Sequence, residues 1–262
     1  MEFLQPASWD EALEAKAAHP EALPVWGGTD VMVDMNFGRA RPEAMLDLTR
    51  VDELTRWDRD NGGFRIGAGV TYTRAIDELG QELPGLAIAS RTVGSPQIRN
   101  RGTIGGNLGT ASPAGDAHPP LLVEDATVEI GSVRGVRTLP LTEFFLGPKR
   151  NALADDELVL AVRVEPTGQP QTFMKVGPRN AMVIAVCSLA VGVDRERGEL
   201  RAAYGSAGPV PALVTAPLED SADFPERVAA AASPIDDVRG TAAYRRHALK
   251  VLTKRALDRV LA

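Results

Sequence analysis

The segment IRNRGTIGGNLGTASPAGD, residues 98–116, constrains the fold more than any other part of this chain. It carries Gly102, Gly105, Gly106, Gly109 and Gly115, and has too little apolar side chain to make an ordinary core strand. Asn107, Thr110 and Ser112 offer hydrogen bonds, and Asp116 offers a carboxylate. Backbone stripped of Cβ atoms can close around a polar ligand, with Asp116 placed to accept from a hydroxyl. The competing reading is a long disordered loop. Ile98, Ile104 and Leu108 oppose it as apolar anchors, as does the scarcity of Lys, Glu and Gln. Arg99 and Arg101 flank the run, either to neutralise a phosphate or as plain surface arginines.

A second glycine turn lies upstream, Val25-Trp26-Gly27-Gly28-Thr29-Asp30-Val31. A strand is predicted over Leu23 to Trp26, and a helix capped by Thr29 or Asp30 runs to about Gly38. Outward N–H groups at such a turn, with the positive end of the helix, form a phosphate site without basic side chains. A plain tight strand–helix turn is the alternative. The sequence Ile66-Gly67-Ala68-Gly69-Val70-Thr71-Tyr72 imitates a dinucleotide fingerprint, but its third glycine position is Tyr72, whose ring opposes close helix–strand packing. It reads as a strand closing on the core.

Composition removes other chemistries. The chain has 262 residues and a net charge of −6, with 29 basic and 35 acidic residues. That balance argues against nucleic acid and anionic membranes as main partners. The single cysteine, Cys187, cannot hold an iron–sulfur cluster, which needs about four thiolates. His19, His118 and His247 show no ligand spacing, so no metal site is expected. No nucleophile–base–orienter set appears, so no catalytic side chain is named. Cys187 lies in an apolar run and reads as a small buried hydrophobe. His118 reads as a ligand neighbour or a structural histidine, and Lys175 as an outward strand lysine or a ligand contact. The N-terminus lacks a signal-peptide pattern, and no apolar stretch is long enough to span a bilayer, so a cytoplasmic protein is expected.

Further elements follow from pattern. Ser8 and Glu11 form a capping-box pair opening a helix that Pro20 stops. A strand over Phe64 to Val70 and a helix over Thr71 to Leu79 continue an α/β rhythm to about residue 125. Strands are expected at Thr127 to Ile130, Val133 to Leu139 and Leu158 to Val164. The turn-rich PTGQP at 166–170 is the expected boundary between domains at 1–166 and 171–262. Beyond it come strands at Thr172 to Val176, Val183 to Val193 and Leu200 to Ser206, with Arg195 to Gly198 as a hairpin loop. Helices follow, the last from Thr241 with Leu249, Leu252, Ala256 and Val260 on one stripe. This C-terminal part reads as α+β, an antiparallel sheet followed by helices.

WGGTD together with TIGGN-to-AGD resembles the FAD-binding medium subunit of the molybdenum hydroxylases, the xanthine dehydrogenase and carbon monoxide dehydrogenase family. FMKVGPRN and SPIDDVRGTAAYRRHALKVLTKRAL extend the resemblance over nearly the whole chain. It implies an α+β fold: a two-lobed FAD domain of the vanillyl-alcohol-oxidase type, then a smaller α+β domain. Val25, Trp26, Gly27, Gly28, Thr29, Asp30 and Val31 would hold the FAD pyrophosphate on one side. Thr103, Ile104, Gly105, Gly106 and Asn107 would hold it on the other, with Thr110 assisting. Asp116 matches a carboxylate near the adenosine ribose. Leu160 and Lys175 match positions at the adenine or ribityl region, and Val93 an apolar flank of the isoalloxazine. Where the family often has Asp-Ile-Ala near the flavin, this chain has Val183-Ile184-Ala185, which leaves the acceptor open among NAD, a quinone, oxygen or another.

The implied function is electron transfer. A small subunit with [2Fe–2S] clusters would feed this FAD, and a molybdopterin-containing large subunit would oxidise the substrate, in a dimer of heterotrimers. Two other readings stay open: a stand-alone FAD oxidoreductase, and a non-catalytic assembly protein that kept the fold.

Overall fold

The computed structural model describes residues 1–60 and 62–262. It opens with β1 (Glu2–Leu4), α1 (Trp9–Ala18), β2 (Leu23–Val25), α2 (Val31–Asn36) and β3 (Ala44–Asp47). Ser8 caps α1 by accepting from the Glu11 N–H at 3.2 Å, and the Glu11 carboxylate accepts from the Ala7 N–H at 2.7 Å. That exchange is the expected capping pair, and the helix ends before Pro20. The three strands pair in parallel with β3 in the centre. The central strand is wholly buried, so it reads as a continuous apolar run closed by Asp47.

A second sheet follows, built from β4 (Trp57–Asp60), β5 (Gly63–Gly67), β6 (Thr127–Ser132), β7 (Gly135–Pro140) and β10 (Leu158–Val164), with β8 (Phe145–Gly147) and β9 (Arg150–Asn151) as a separate small hairpin. Its order is β4-β5-β10-β6-β7, antiparallel throughout. Between β5 and β6 the chain runs through α3 (Tyr72–Glu78), α4 (Pro84–Arg91), α5 (Pro96–Arg101), α6 (Ile104–Thr110) and α7 (His118–Val123); α8 (Leu141–Phe144) follows β7. The glycine run, read from sequence as a segment wrapped around a ligand or a disordered loop, therefore contains the end of α5 and the whole of α6, with turns around them. Thr103 nucleates α6 by accepting from the Gly106 N–H at 2.9 Å. Gly105 lets that helix seat on Ala68, since a Cβ there would fall 2.3 Å from the Ala68 Cβ.

The last part is a four-stranded antiparallel sheet of β11 (Gln171–Val176), β12 (Cys187–Asp194), β13 (Glu199–Gly205) and β14 (Ala212–Pro217), with α9 (Phe224–Ala231) and α10 (Ala242–Val260). In β12 small and large residues alternate. Leu189, Val191 and Val193 join the cluster that contains Leu249, Leu252, Ala256 and Val260 of α10. On the other face a Cβ at Gly192 would meet Val123 Cγ1 of α7 at 2.7 Å, so the small residues let α7 close in. The strand is thereby buried on both faces.

Three expectations are corrected. Residues 183–186 are not strand, and β12 begins at Cys187. Val133 lies in the β6–β7 turn, and β7 starts at Gly135, whose φ of 119° suits only glycine. β14 was expected as part of a helical region. It is an edge strand, and the prolines at its margins mask its short alternation. Among the described residues, no helix is long and apolar enough to cross a membrane.

Candidate functional site

The two glycine segments meet. Gly27 packs so closely on the end of α5 that a Cβ would lie 2.0 Å from the Arg101 carbonyl oxygen. Gly28 adopts φ 70°, the left-handed region that favours glycine. Arg101 donates back to the Trp26 carbonyl at 3.4 Å. The Trp26 ring lies against Gly69, where a Cβ would fall 2.9 Å from it. The imitation fingerprint thus has a local use, as a bare seat for the tryptophan beside the turn. A second link joins α2 to α6. Lys149 pairs with Asp34 at 2.8 Å, while its own N–H donates to the Ala111 carbonyl at 3.0 Å.

The supply of N–H groups differs on the two sides. Among the described residues, the backbone N–H groups of Gly27, Gly28, Thr29 and Asp30 have no acceptor. Asp30 stands at the N-cap of α2 but its side chain makes no capping bond, which leaves that end uncovered. On α6 the first amides are already engaged: Ile104 donates to the Val70 carbonyl at 3.0 Å and Gly105 to that of Ala68 at 2.9 Å. Thr103, Ile104 and Gly105 are buried and brace the helix, while Gly106 is exposed and Asn107 and Thr110 are half-buried. The Asn107 Oδ1 is buried without a partner. Val25 and Val31 are half-buried at the two ends of the turn.

Asp116 and Lys175 form a second cluster. The Lys175 Nζ lies 2.5 Å from Asp116 Oδ2, Thr92 Oγ1 donates to the same oxygen at 3.2 Å, and Nζ also reaches the Thr92 carbonyl at 3.3 Å. Both charged side chains are nearly inaccessible. Burial pushes the Asp116 carboxyl upward, and the charge and hydrogen bond of Lys175 pull it back. Its Oδ1 has no partner. Beside the pair opens a cleft of about 470 Å³, lined among others by Thr92, Arg99, Lys175, Arg179 and Val183. Lys175 is therefore no outward strand lysine. Leu160 sits apart on β10, at a break in the β6 register, where its carbonyl accepts from the Ala68 N–H at 2.9 Å.

Sequence reasoning passed over Thr92 and left His118 open. Thr92 gave no signal because it enters the cluster from α4, distant in sequence. Cys187 is fully buried, and burial pushes its thiol up to about 12, which keeps it un-ionised and inert.

The sequence model of the family described as "FAD binding domain in molybdopterin dehydrogenase" matches residues 1–167. The chain belongs to this family. It is an FAD-binding subunit of the molybdenum hydroxylase oxidoreductases, and FAD is its cofactor. It is similar to the xanthine dehydrogenase FAD-binding subunit of Escherichia coli O157:H7, 30% identical over 277 residues, covering 98% of this chain and 94% of the relative. It is also similar to the nicotine 6-hydroxylase medium subunit of Paenarthrobacter nicotinovorans, 31% identical over 272 residues, covering 97% and 95%. A chain in the structure of carbon monoxide dehydrogenase from Hydrogenophaga pseudoflava superposes with a TM-score of 0.92 at 25% identity, covering 100% of this chain and 97% of that one. The site suits the cofactor. Among the described residues, four N–H groups without an acceptor at the start of α2 suit a pyrophosphate, and the free Asp116 oxygen suits a hydroxyl.

Proposed function

We propose that this chain is the electron-transfer flavoprotein of a molybdenum-dependent hydroxylase. FAD lies extended between two lobes of a vanillyl-alcohol-oxidase-type domain, residues 1–166, which is followed by an α+β domain, residues 171–262. The observation that carries the reading is the row of N–H groups at Gly27–Asp30 that, among the described residues, have no acceptor and lead into an uncapped α2. These amides, with Val25, Trp26 and Val31 framing the turn, hold the pyrophosphate by hydrogen bonds and the partial charge of α2. Gly106, Asn107 and Thr110 line the other side of the cofactor, on a helix braced by Thr103, Ile104 and Gly105.

Asp116, Lys175 and Thr92 are one cluster, and Thr92 adjoins Val93. A ribose role for Asp116 and an isoalloxazine role for Val93 would put this cluster at opposite ends of an extended cofactor. We assign it to the ribityl and flavin end. Asp116 would accept from a ribityl hydroxyl through Oδ1, Lys175 would hold the carboxyl in place through Oδ2, and the neighbouring cleft would receive the ring. Leu160 lines the cofactor from β10. When bound, the flavin supplies one- and two-electron chemistry, which no side chain of this protein can.

Electrons enter from the [2Fe–2S] clusters of a small partner subunit, and a molybdopterin-containing large subunit oxidises the substrate, in a dimer of heterotrimers in the cytoplasm. The medium-subunit name of the nicotine relative supports an assembly of unequal chains. The lone buried Cys187 supports placing the clusters elsewhere. NAD, a quinone, oxygen or another acceptor then takes the electrons. The test is titration of the full chain with FAD, followed by isolation of its native complex. Saturable FAD uptake and copurifying large and small chains with molybdenum and iron are expected. A folded chain that takes up no FAD, or a flavoprotein that oxidises substrate with no partner, refutes the proposal.

A further inference from the structure

His118, the first residue of α7, has no exposed surface. Its Nε2 lies 3.1 Å from the carbonyl oxygen of Asn107. Its ring packs on Phe145 of β8 at a centroid distance of 4.5 Å. It also fills the space beside Gly115, where a Cβ would fall 2.2 Å from its Cε1. One ring thus ties together α6, the turn that leads into α7, and the β8–β9 hairpin. Burial lowers its pKa to about 4, so it is neutral near pH 7. A carbonyl only accepts, and of the two backbone carbonyls that act on the ring, Asn107 and Ser112, the Asn107 oxygen is the one within hydrogen-bond geometry, on the Nε2 side; the clamp therefore uses the tautomer with its proton on Nε2.

The bonded carbonyl lies in the last turn of α6. It also accepts from the Ala111 N–H at 3.2 Å, and Ala111 closes the helix in the left-handed region with φ 47°. A glycine-rich helix of seven residues has little intrinsic stability to hold Asn107 in place. The Asn107 side-chain oxygen is buried and has no partner among the described residues. We infer that His118 is a positioning residue for FAD: its Nε2–H clamps the Asn107 backbone and so aims the Asn107 amide at the cofactor. The inference rests on the proposal that FAD lies along α6.

The test compares His118→Leu, which fills the space without a donor, with His118→Gln, whose amide N–H can reach the same carbonyl. FAD affinity is measured by titration of the full chain, with the visible circular dichroism of the bound flavin as a second readout. His118→Leu is expected to weaken FAD binding about tenfold, as for one lost hydrogen bond. His118→Gln is expected to restore affinity and dichroism together. The double variant His118→Leu/Asn107→Ala is expected to bind no worse than Asn107→Ala alone, because His118 acts through Asn107. Should the leucine variant not fold, His118→Asn, whose shorter amide falls short of the carbonyl, takes its place with the same expectations. Wild-type affinity in His118→Leu, equal losses in the Leu and Gln variants, or additive losses in the double variant overturn the role. Unchanged affinity in Asn107→Ala overturns the α6 site itself, and is thereby distinguished from failure of His118 alone.

Discussion

Gly27→Ala probes the junction on which the site is built. The new Cβ would stand 2.0 Å from the Arg101 carbonyl oxygen, against 3.4 Å for ordinary contact, so the segments must part by 3.4 − 2.0 = 1.4 Å. Neither can yield easily. The Arg101 carbonyl is backbone at the end of α5. The adjacent Gly102 is pinned by its own N–H to the Ile98 carbonyl at 2.7 Å and by the Tyr72 N–H to its carbonyl at 3.1 Å. Overpacking of this kind costs about 1–3 kcal/mol. The melting temperature of the chain without FAD should drop by about 2–4 °C for each kcal/mol in a protein of this size. FAD affinity should fall as well, because the N–H groups of Gly27–Asp30 move relative to α6; a loss of about tenfold or more corresponds to 1.4 kcal/mol. Scanning calorimetry and fluorescence titration of FAD measure the two effects. Gly109→Ala is the control for inserting a methyl group. Nothing lies within 4 Å of that Cβ, and the change should stabilise the chain without FAD by up to about 1 kcal/mol through helix propensity. A Gly27→Ala protein with wild-type melting and FAD affinity would show that the two segments do not form one site.

Further outcomes are expected elsewhere. Asp116→Ala should weaken FAD binding by about 1–3 kcal/mol and also lower stability, since it strands the buried Lys175 ammonium; titration and urea denaturation report the two. Glu124 is buried, which pushes its carboxyl up to about 7, against 4.5 ordinarily. The unfolded chain therefore loses that proton first, and the contribution of Glu124 to stability declines as pH rises from 4.5 to about 7. Glu124→Gln should accordingly gain on the wild type over that window, by up to about 3 kcal/mol, in denaturation at pH 5 and pH 7.5; a pH-independent difference would contradict this. Gly192→Val should destabilise the chain by about 1–3 kcal/mol with β12 forced off Val123, visible as a lower urea midpoint.

Some of the local structure around the candidate site was legible because its demands are local. A turn that needs a positive φ at Gly28 writes itself into adjacent residues. The same holds for the Ser8 cap of α1 and for the stripe on α10, both visible as short-range patterns. Where local signals conflicted, the reading failed. The glycines of 102–109 read as a ligand loop with no helix in it, yet α6 forms because the Ala68 and Val70 carbonyls accept its first amides and Gly105 fits against Ala68. β14 was hidden because an edge strand flanked by prolines shows little alternation of its own and takes its shape from the register of β13.

The sequence alone determined the family, the cofactor class and the residue types that can approach a phosphate, since each depends on chemistry carried by neighbouring positions. Tertiary structure decided which of those residues share a space. It brought Gly27 onto Arg101, joined Asp116 to Lys175 and Thr92, and set His118 beneath Asn107. Those pairings depend on helices that lie between distant strands, and their distances follow from packing, which no local stretch of chain encodes by itself.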